Sequence, residues 1–433
     1  MITKNVSIIT LSGLTAALLA FSGCGGGDSS SGTPSSSSSS SVASSSSSVA
    51  SSSSSSASSV GNTVTLKGNF AGMTLDANKV YEIDGKVNVT SGTLTIPAGT
   101  TLYGKSPSSY LAINQGAKIH AVGTKAKPIV FTSKLDYEGK SHANAQGEWG
   151  GLVLLGRAWT NLGEKTYEAG DQKFGSATHD NDNDNSGELE YVVIKHTGFE
   201  VEKDKELNGL SLGGVGSGTT IKNVAVIGGA DDAIELWGGT VNITGLYLYN
   251  GSDDSLDTDL GYSGTITNVL AVQNSVDKDT FDSSTIETGN DKLLIDNDTD
   301  ITKTHVVNGT FKAVGGGIYM KNDAGMTFDN VKVILDNPVT TSQEVVKHRT
   351  EDVYNTNKMF AVNKGICLKN TQNETALFAA TNSKDTGSSA ADFWPTKVQS
   401  SANVHENDDT TCNGADEASI WKGKAGSNDA LEK

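Results

Sequence analysis

Residues 221–283 decide the fold, and their centre reads Asp231-Asp232-Ala233-Ile234-Glu235-Leu236-Trp237-Gly238-Gly239. Three times in this stretch, a short apolar strand is followed by a polar bend, an acidic pair and a second short strand. The first strands of the three copies are residues 221–224, 241–244 and 266–269, and the second strands are residues 233–236, 255–258 and 280–283. Asp231 and Asp253 lie 22 positions apart. A fixed period of this length predicts a solenoid of stacked coils, each packed only on its neighbours.

The same pattern extends outward from this stretch in both directions. Short runs of alternating apolar residues, such as Leu94-Thr95-Ile96 and Leu152-Val153-Leu154, are separated by Gly, Asn and Asp. The chain has 49 glycines and only 6 prolines, as expected for many tight turns between strands. We therefore predict an all-β fold with a parallel β-helix over residues 60–337. Residues 338–433 are predicted to form an irregular C-terminal cap that covers the strand edges of the last coil.

The N-terminal residues 1–23 have the pattern of a signal peptide, with Lys4, an apolar run and small residues before Cys24. The sequence Phe21-Ser22-Gly23-Cys24 resembles the lipobox of bacterial lipoproteins, whose cysteine becomes the acylated N-terminus. The alternative is an ordinary signal peptide with an incidental cysteine. Residues 24–59 are predicted to be the lipidated Cys24 and a disordered serine-rich tether. We expect an exported protein that is lipid-anchored to the outer membrane or cell surface, so that the membrane is one partner.

The charge balance is strongly acidic, with 33 basic and 50 acidic residues and a net charge of −17. Proteins that bind nucleic-acid phosphates carry the opposite charge, so we predict no nucleic-acid partner. An acidic surface favours the binding of cations.

Cysteine usage agrees with export. If Cys24 is lipidated, Cys367 and Cys412 remain as an even pair that can form one disulfide in an oxidising compartment. A metal site is the alternative, but neither cysteine has a His or Cys at ligand spacing beside it.

Four stretches resemble the pectate-lyase-like superfamily of right-handed, single-stranded parallel β-helices. They are Ile96-Pro97-Ala98-Gly99-Thr100, the segment 116–133 with Lys127-Pro128-Ile129-Val130-Phe131, the segment Glu148-Trp149-Gly150-Gly151, and residues 231–239. More narrowly, the chain is similar to a group of secreted bacterial β-helix lipoproteins. The resemblance covers roughly residues 62–335 and implies the fold. It implies little about activity, because the superfamily includes lyases, hydrolases, adhesins and inert shafts.

An acidic ladder is the sharpest candidate site. We predict that it is formed by Asp231, Asp232, Glu235, Asp253, Asp254, Asp257, Asp279 and Asp282. If Ile234, Leu256 and Phe281 point inward, strand alternation directs Glu235, Asp257 and Asp282 outward on one face. Carboxylates on coils about 4.8 Å apart repel each other by roughly 1 kcal/mol in water and more when they are partly buried. Bound Ca²⁺ would relieve this repulsion, and oxygen ligands favour Ca²⁺ over Zn²⁺. A solvated acidic face and a catalytic site are the alternatives.

A second acidic cluster contains Asp180, Asp182 and Asp184 within the run 180–188. Its start resembles a D-x-D-x-D calcium loop, but Gly is missing at the sixth position and an acidic residue at the twelfth, where Tyr191 stands. The run is interpreted either as an irregular Ca²⁺-binding turn or as a hydrophilic excursion between coils.

Aromatic residues near the ladder suggest a carbohydrate ligand. Trp237 is expected to point outward beside Glu235, and Tyr262 lies one coil further on. We predict that both stack on sugar rings; the alternative is that they pack a bend.

The sequence lacks most catalytic elements of the superfamily's enzymes. Lyases need an Arg or Lys base, and Lys278 is the only such residue near the ladder in the sequence. Gly-His-Gly and Arg-x-Lys, which the hydrolases use, do not occur. The hypothesis is therefore a surface β-helix that binds extracellular polysaccharide or a surface glycan together with Ca²⁺. A polysaccharide lyase or glycosidase using residues 231–282, and a structural spacer, are the alternatives.

Overall fold

The computed structural model describes residues 58–60, 62–201, 205–274, 276, 283–290, 300–322, 324–336, 338, 344–350, 360–374, 377–382, 398–399, 401–408 and 410–423. The predicted signal peptide, Cys24 and most of the predicted serine-rich tether lie outside these residues. In the described part of the chain, no helix is both long and apolar enough to span a membrane.

The structure is almost entirely β. In chain order the strands are β1 (Ser58–Val60), β2 (Thr63–Ala71), β3 (Val80–Ser91), β4 (Thr93–Ile96), β5 (Thr101–Gly104), β6 (Tyr110–Ile113), β7 (Lys118–Val122), β8 (Ile129–Ser133), β9 (Gly151–Leu155), β10 (Lys165–Thr166), β11 (Lys173–Phe174), β12 (Gly187–Thr197), β13 (Leu210–Gly213), β14 (Thr220–Gly229), β15 (Ile234–Trp237), β16 (Asn242–Gly251), β17 (Leu256–Asp259), β18 (Thr265–Val272), β19 (Ser284–Thr288), β20 (Lys303–Ala313), β21 (Gly316–Lys321), β22 (Gly325–Leu335), β23 (Val346–Thr350), β24 (Phe360–Asn370), β25 (Phe378–Asn382), β26 (Val398–Gln399) and β27 (Val404–Glu406). Among the residues that the structure describes, one short helix, α1 (Lys134–Tyr137), and two 3-10 turns, His179–Asn181 and Ser401–Asn403, accompany the strands.

Parallel pairing between successive coils builds the solenoid. The short strands β9, β13, β15, β17, β19, β21, β23 and β25 stack in register and form one sheet, which we call the site sheet. The long strands β12, β14, β16, β18, β20, β22 and β24 stack in the same way. The predicted right-handed parallel β-helix is therefore confirmed.

A bend divides most of the long strands. Asn223, Asn268, Asn308 and Asn330 stand at this bend with positive φ, a conformation that Asn adopts more readily than most residues. The Asn330 amide donates a 2.8 Å hydrogen bond to Asn308, whose amide donates to Asn268 at 3.2 Å. These side chains link the coils along the axis of the helix.

The core consists of inward side chains that stack from coil to coil. In the site sheet, Leu210, Ile234, Leu256, Ile286 and Ile318 are in register and at most 1% exposed. Burial of each such side chain contributes about 1.5–3 kcal/mol. Their outward neighbours on the same strands are therefore fixed on the opposite face of the sheet.

The third copy of the repeat has a different register from the predicted one. The strand that pairs with β17 is β19, so Ile286 takes the inward place expected for Phe281 and Glu287 lies beside Asp257. Thirty positions, rather than 22, separate Asp257 from Glu287, because a longer connection precedes β19. Asp279 and Asp282 lie in that connection, outside the described residues.

The β-helix also continues beyond its predicted end at residue 337. Strands β23 to β27 extend the parallel ladders through the region that was predicted to be an irregular cap. The boundary was set too early, because polar residues rich in Asn, Asp, Thr and Ser fill the longer connections between these coils.

The last described segment, residues 407–423, runs back over the outside of the helix, and we call it the strap. Its predicted disulfide is confirmed: Cys412 is bonded to Cys367 on β24, with 5.8 Å between the Cα atoms. Further along, Glu417 forms a 3.0 Å ion pair with Lys312. Trp421 then packs edge-on against Tyr191, with 5.2 Å between ring centroids. The strap thus covers an apolar strip on the outer face of the long strands.

Candidate functional site

The site sheet presents two outward rows of side chains. In the first row, Ser211, Glu235, Asp257, Glu287 and Tyr319 follow one another on successive strands. Glu235 and Asp257 point outward, as predicted, because Ile234 and Leu256 beside them are fully buried in the core.

The second row passes through Gly213, Trp237 and Asp259, two residues further along each strand. Two residues of strand span roughly 7 Å. The two rows therefore form one continuous patch on the outer face.

Acidic pairs lie in the turns just before β15 and β17, which places them beside the first row. One group contains Asp231, Asp232 and Asp253, and a second contains Asp232, Glu235 and Asp257. In each group, one carboxylate oxygen from every residue lies within 4.8 Å of the others. Asp232 belongs to both groups, so the five residues form a single acidic cluster.

Hydrogen bonds hold part of this cluster in place. Oδ1 of Asp232 accepts a 2.8 Å bond from the backbone N–H of Asp254, and the Asn208 amide donates to Oε2 of Glu235 at 2.6 Å. Two other oxygens, Oδ1 of Asn208 and Oδ1 of Asp257, are buried and accept no hydrogen bond from the residues that the structure describes. Buried oxygens without donors are the groups that a cation can satisfy.

Burial and mutual repulsion favour the protonated forms of these carboxyls. Burial is the largest cause and raises the pKa of Asp231, Asp232 and Glu235 well above the usual range, and neighbouring carboxylates raise it further. Burial also raises the pKa of Asp257 to about 6, although the Lys321 ammonium partly opposes this rise. The cluster must therefore bind protons or a cation at neutral pH.

Positive charge is sparse around the cluster. Nζ of Lys321 lies 2.5 Å from Oε1 of Glu287 and 4.9 Å from the centre of the Tyr319 ring. Lys347, two coils beyond Glu287, approaches the same ring at 4.6 Å. These lysines border the acidic cluster on the side of the later coils and do not neutralise Asp231, Asp232 or Glu235.

A pocket of about 200 Å³ lies beside the acidic cluster. The antiparallel hairpin of β10 and β11 forms one wall, and the ends of β15 and β17 form the other. Its lining includes Lys165, Tyr167, Glu168, Phe174, Trp237 and Asp259.

Glu168 connects the pocket to the acidic cluster. Burial raises the pKa of its carboxyl to about 7, and Glu206 and Asp257 add repulsion.

The predicted ladder is brought together only in part. Asp231, Asp232, Glu235, Asp253 and Asp257 converge. Asp254 belongs to neither group, and its Oδ1 accepts a 2.5 Å hydrogen bond from the backbone N–H of Ser284. Asp279 and Asp282 are outside the described residues, and Glu287 stands where Asp282 was expected.

The second acidic cluster does not converge. Thr178 donates to Asp180 at 2.8 Å, Oδ2 of Asp182 lies 2.7 Å from Nδ1 of His179, and Ser186 donates to Asp184 at 3.1 Å. Each carboxylate thus has a different partner, and Oδ1 of Asp182 also accepts a 3.1 Å hydrogen bond from the backbone N–H of Trp159. This geometry supports the alternative of a hydrophilic excursion between coils, and we do not retain the prediction of a Ca²⁺-binding turn.

The two predicted stacking residues differ in their surroundings. Tyr262 is fully buried and donates a 2.9 Å hydrogen bond to the carbonyl of Val241, so it cannot stack on a ligand and that prediction is wrong. Trp237 is half-buried and lines the pocket, with its ring against Tyr167 and Phe174.

Sequence reasoning missed Glu168, Glu287 and Asn208. Glu287 could have been found from the alternation in Ser284-Thr285-Ile286-Glu287, but the longer connection hid the register. Asn208 lies two residues before Leu210, as Asp232 lies two residues before Ile234 on the next coil, so the coil repeat could have indicated it. Glu168 lies on a hairpin more than 60 positions before Asp231, and no local pattern links the two.

Comparison with family models gives one match. The model described as a pectate-lyase like beta helix domain matches residues 68–423, which is most of the chain and includes residues 338–423 of the predicted cap region. Comparison with curated proteins and with solved structures finds no match. The domain is consistent with a carbohydrate-related function. The matched range and the parallel ladders agree, and the chain belongs to the pectate-lyase-like β-helix family.

Proposed function

We propose that this protein is an exported β-helix that binds extracellular carbohydrate with the help of a Ca²⁺ ion held in the acidic cluster. The observation that carries this proposal is the position of Asp232, which shares one set of carboxylate oxygens with Asp231 and Asp253 and another with Glu235 and Asp257.

The chemistry of the donor set fits Ca²⁺. Ca²⁺ takes six to eight oxygen ligands in flexible geometry, from carboxylates, amide carbonyls and water. The acidic cluster offers five carboxylates, and the Asn208 amide oxygen is buried next to Glu235. No His or Cys belongs to either group, so the set does not suit Zn²⁺.

A bound Ca²⁺ would also explain how this acidic face contacts sugars. Hydroxyl oxygens of a saccharide can complete the coordination of an ion that the protein only partly surrounds. Asp231, Glu235, Asp253 and Asp257 are only partly buried, which leaves such an ion open to the outer face.

Export and anchoring are a separate part of the proposal. The signal-like residues 1–23, Cys24 and the serine-rich tether support a lipoprotein that holds its β-helix away from the membrane. The disulfide between Cys367 and Cys412 supports folding in an oxidising compartment.

Affinity electrophoresis tests the binding function. Protein carrying Cys24→Ala is run through gels that contain single polysaccharides, with either Ca²⁺ or a chelator in the buffer. We expect retardation by at least one polysaccharide in Ca²⁺ and a loss of most of that retardation in chelator. Equal mobility in every gel under both conditions would contradict carbohydrate binding.

A second candidate function is glycoside cleavage at the same face. Glu168 lines the pocket and its pKa of about 7 lets it hold a proton near neutral pH, as a general acid must. The gel components can be assayed directly for new reducing ends and for the ultraviolet absorbance of unsaturated ends. Product release that Glu168→Gln abolishes would favour the enzyme over the binding protein.

A further inference from the structure

We propose that the pocket between the β10–β11 hairpin and Trp237 is a subsite for one uncharged pyranose ring. This inference deepens the proposed carbohydrate binding, on which it rests, by naming where the sugar binds and which class of sugar fits.

The aromatic wall of the pocket is held rigidly. The Trp237 ring meets Tyr167 at 5.8 Å in an edge-to-face arrangement and Phe174 at 5.9 Å. Tyr167 in turn meets Tyr110 edge-on at 6.1 Å, and its hydroxyl lies 3.4 Å from that of Ser211. These contacts leave Trp237 as the half-buried ring of the wall, so its exposed surface is available to the C–H face of a sugar.

The size of the pocket limits what it can hold. Its volume of about 200 Å³ lies below the roughly 300–1,000 Å³ of sites for drug-sized ligands. One six-membered ring fits such a space, whereas a chain of several rings must continue outside it. Glu235 and Asp257 lie on the same two strands as the lining residues Trp237 and Asp259, two positions earlier and roughly 7 Å away.

The polar groups around the wall suit hydroxyls. Lys165 offers hydrogen-bond donors, and Glu168 and Asp259 offer hydrogen-bond acceptors. One basic and two acidic side chains therefore lie beside the aromatic wall. This mixture matches the alternating donors and acceptors of sugar hydroxyls.

The surroundings argue against a charged ring. The five carboxylates of the acidic cluster outnumber the two charges of one bound Ca²⁺, and Asp257 acts on Glu168 in the pocket, so the cluster repels a uronate there; Lys165 opposes the ammonium of an amino sugar. An uncharged hexose or pentose ring meets neither penalty.

Calorimetry with defined oligosaccharides tests this subsite. The probes are tetrasaccharides of glucose, mannose, xylose and galactose, together with tetragalacturonate and the glucosamine tetrasaccharide, titrated into the Cys24→Ala protein. We expect at least one neutral probe to bind more tightly than both charged probes. Trp237→Ala should weaken that binding about tenfold or more, the loss of one stacking contact. Tyr137→Ala is the matched control, since Tyr137 is also an exposed aromatic residue, 46% exposed and on α1, outside the pocket; it should leave binding unchanged.

Other results would overturn the inference. The inference is wrong if only charged probes bind or if no probe binds. It is also wrong if Trp237→Ala binds the neutral probe as tightly as the parent protein. If Trp237→Ala does not fold, Lys165→Ala at the rim replaces it, with an expected loss of about threefold or more.

A repeat of the titration in chelator separates this inference from the Ca²⁺ proposal. If neutral sugars still bind in chelator and this binding still depends on Trp237, the subsite is supported and sugar binding does not require Ca²⁺. If the protein binds Ca²⁺ but no sugar binding depends on Trp237, the Ca²⁺ proposal is supported and the subsite is refuted.

Discussion

Oδ1 of Asp232 accepts a 2.8 Å hydrogen bond from the backbone N–H of Asp254, the residue 22 positions later on the next coil. Asp254 repeats the arrangement, because its own Oδ1 accepts from the backbone N–H of Ser284 on the coil after that. The second acid of each pair therefore links successive coils. The first acids, Asp231 and Asp253, meet in the acidic cluster.

Asp254 is expected to act through this hydrogen bond rather than through its charge. Asp254→Ala leaves the buried N–H of Ser284 without an acceptor and should lower the free energy of unfolding by about 1–3 kcal/mol. Asp254→Asn keeps an acceptor oxygen and removes a carboxyl whose pKa is raised by burial and by neighbouring carboxylates, so it should be neutral or stabilising in metal-free protein. Denaturant titration of both variants gives the comparison, and equal losses in both would argue for a charge-dependent role.

The stability of metal-free protein should fall as the pH rises from about 4 to about 7. The folded protein keeps protons on Asp257 up to about pH 6 and on Glu168 up to about pH 7. The unfolded chain releases them near pH 4, so the folded state binds more protons within this window. We expect the free energy of unfolding to drop by about 1–3 kcal/mol across it.

Denaturant titrations in chelator at about pH 5 and about pH 7.5 measure this drop. Asp257→Asn combined with Glu168→Gln should reduce the drop without abolishing it, because these two groups no longer titrate whereas Asp231, Asp232 and Glu235 keep their raised pKa values. A metal-free stability that rises with pH over this range would show that these carboxyls are not protonated in the folded state.

Removal of the disulfide should release the strap. Cys367 and Cys412 close a loop with a sequence separation of 45, for which chain entropy predicts a stabilisation of about 4 kcal/mol. The paired variant Cys367→Ser with Cys412→Ser should lose up to that amount, and the fluorescence of Trp421 should shift as its contact with Tyr191 loosens. Cys24→Ala, which leaves the disulfide intact, serves as the control; an unchanged denaturation midpoint in the paired variant would refute a stabilising role.

Cys24→Ala should also release the protein from membranes. If Cys24 carries the lipid, the variant should move to the soluble exported fraction, whereas the wild type remains with membranes. Fractionation with immunodetection measures this distribution. Continued membrane association of Cys24→Ala would show that another element provides the anchor.

The coil repeat was readable from the sequence because alternation and turn residues act locally. Ile234 and Leu256 point inward, and Glu235 and Asp257 outward, as the pattern of each strand predicts. Alternation within one strand does not indicate the length of the connection before it, which explains why Asp282 rather than Glu287 was placed beside Asp257.

The remaining errors concern contacts between distant segments. Tyr262 has an ordinary turn sequence, and only its bond to Val241 across the coil shows that it is buried. Glu168 and the β10–β11 hairpin reach the site from far earlier in the chain, and the strap returns to Tyr191 from its far end. These contacts between distant segments form only when the coils are stacked, so no periodic pattern in the sequence predicts them.

The most direct test of the Ca²⁺ proposal is calorimetric titration of CaCl₂ into metal-free Cys24→Ala protein, compared with the same protein carrying either Asp232→Asn or Asp180→Asn. Asp232 belongs to both carboxylate groups, whereas Asp180 bonds only locally to Thr178 among the described residues. The proposal predicts saturable heat in the parent protein, a loss of affinity of tenfold or more in Asp232→Asn, and no change in Asp180→Asn. No heat in the parent protein, or equal affinity in the Asp232→Asn variant, would contradict it.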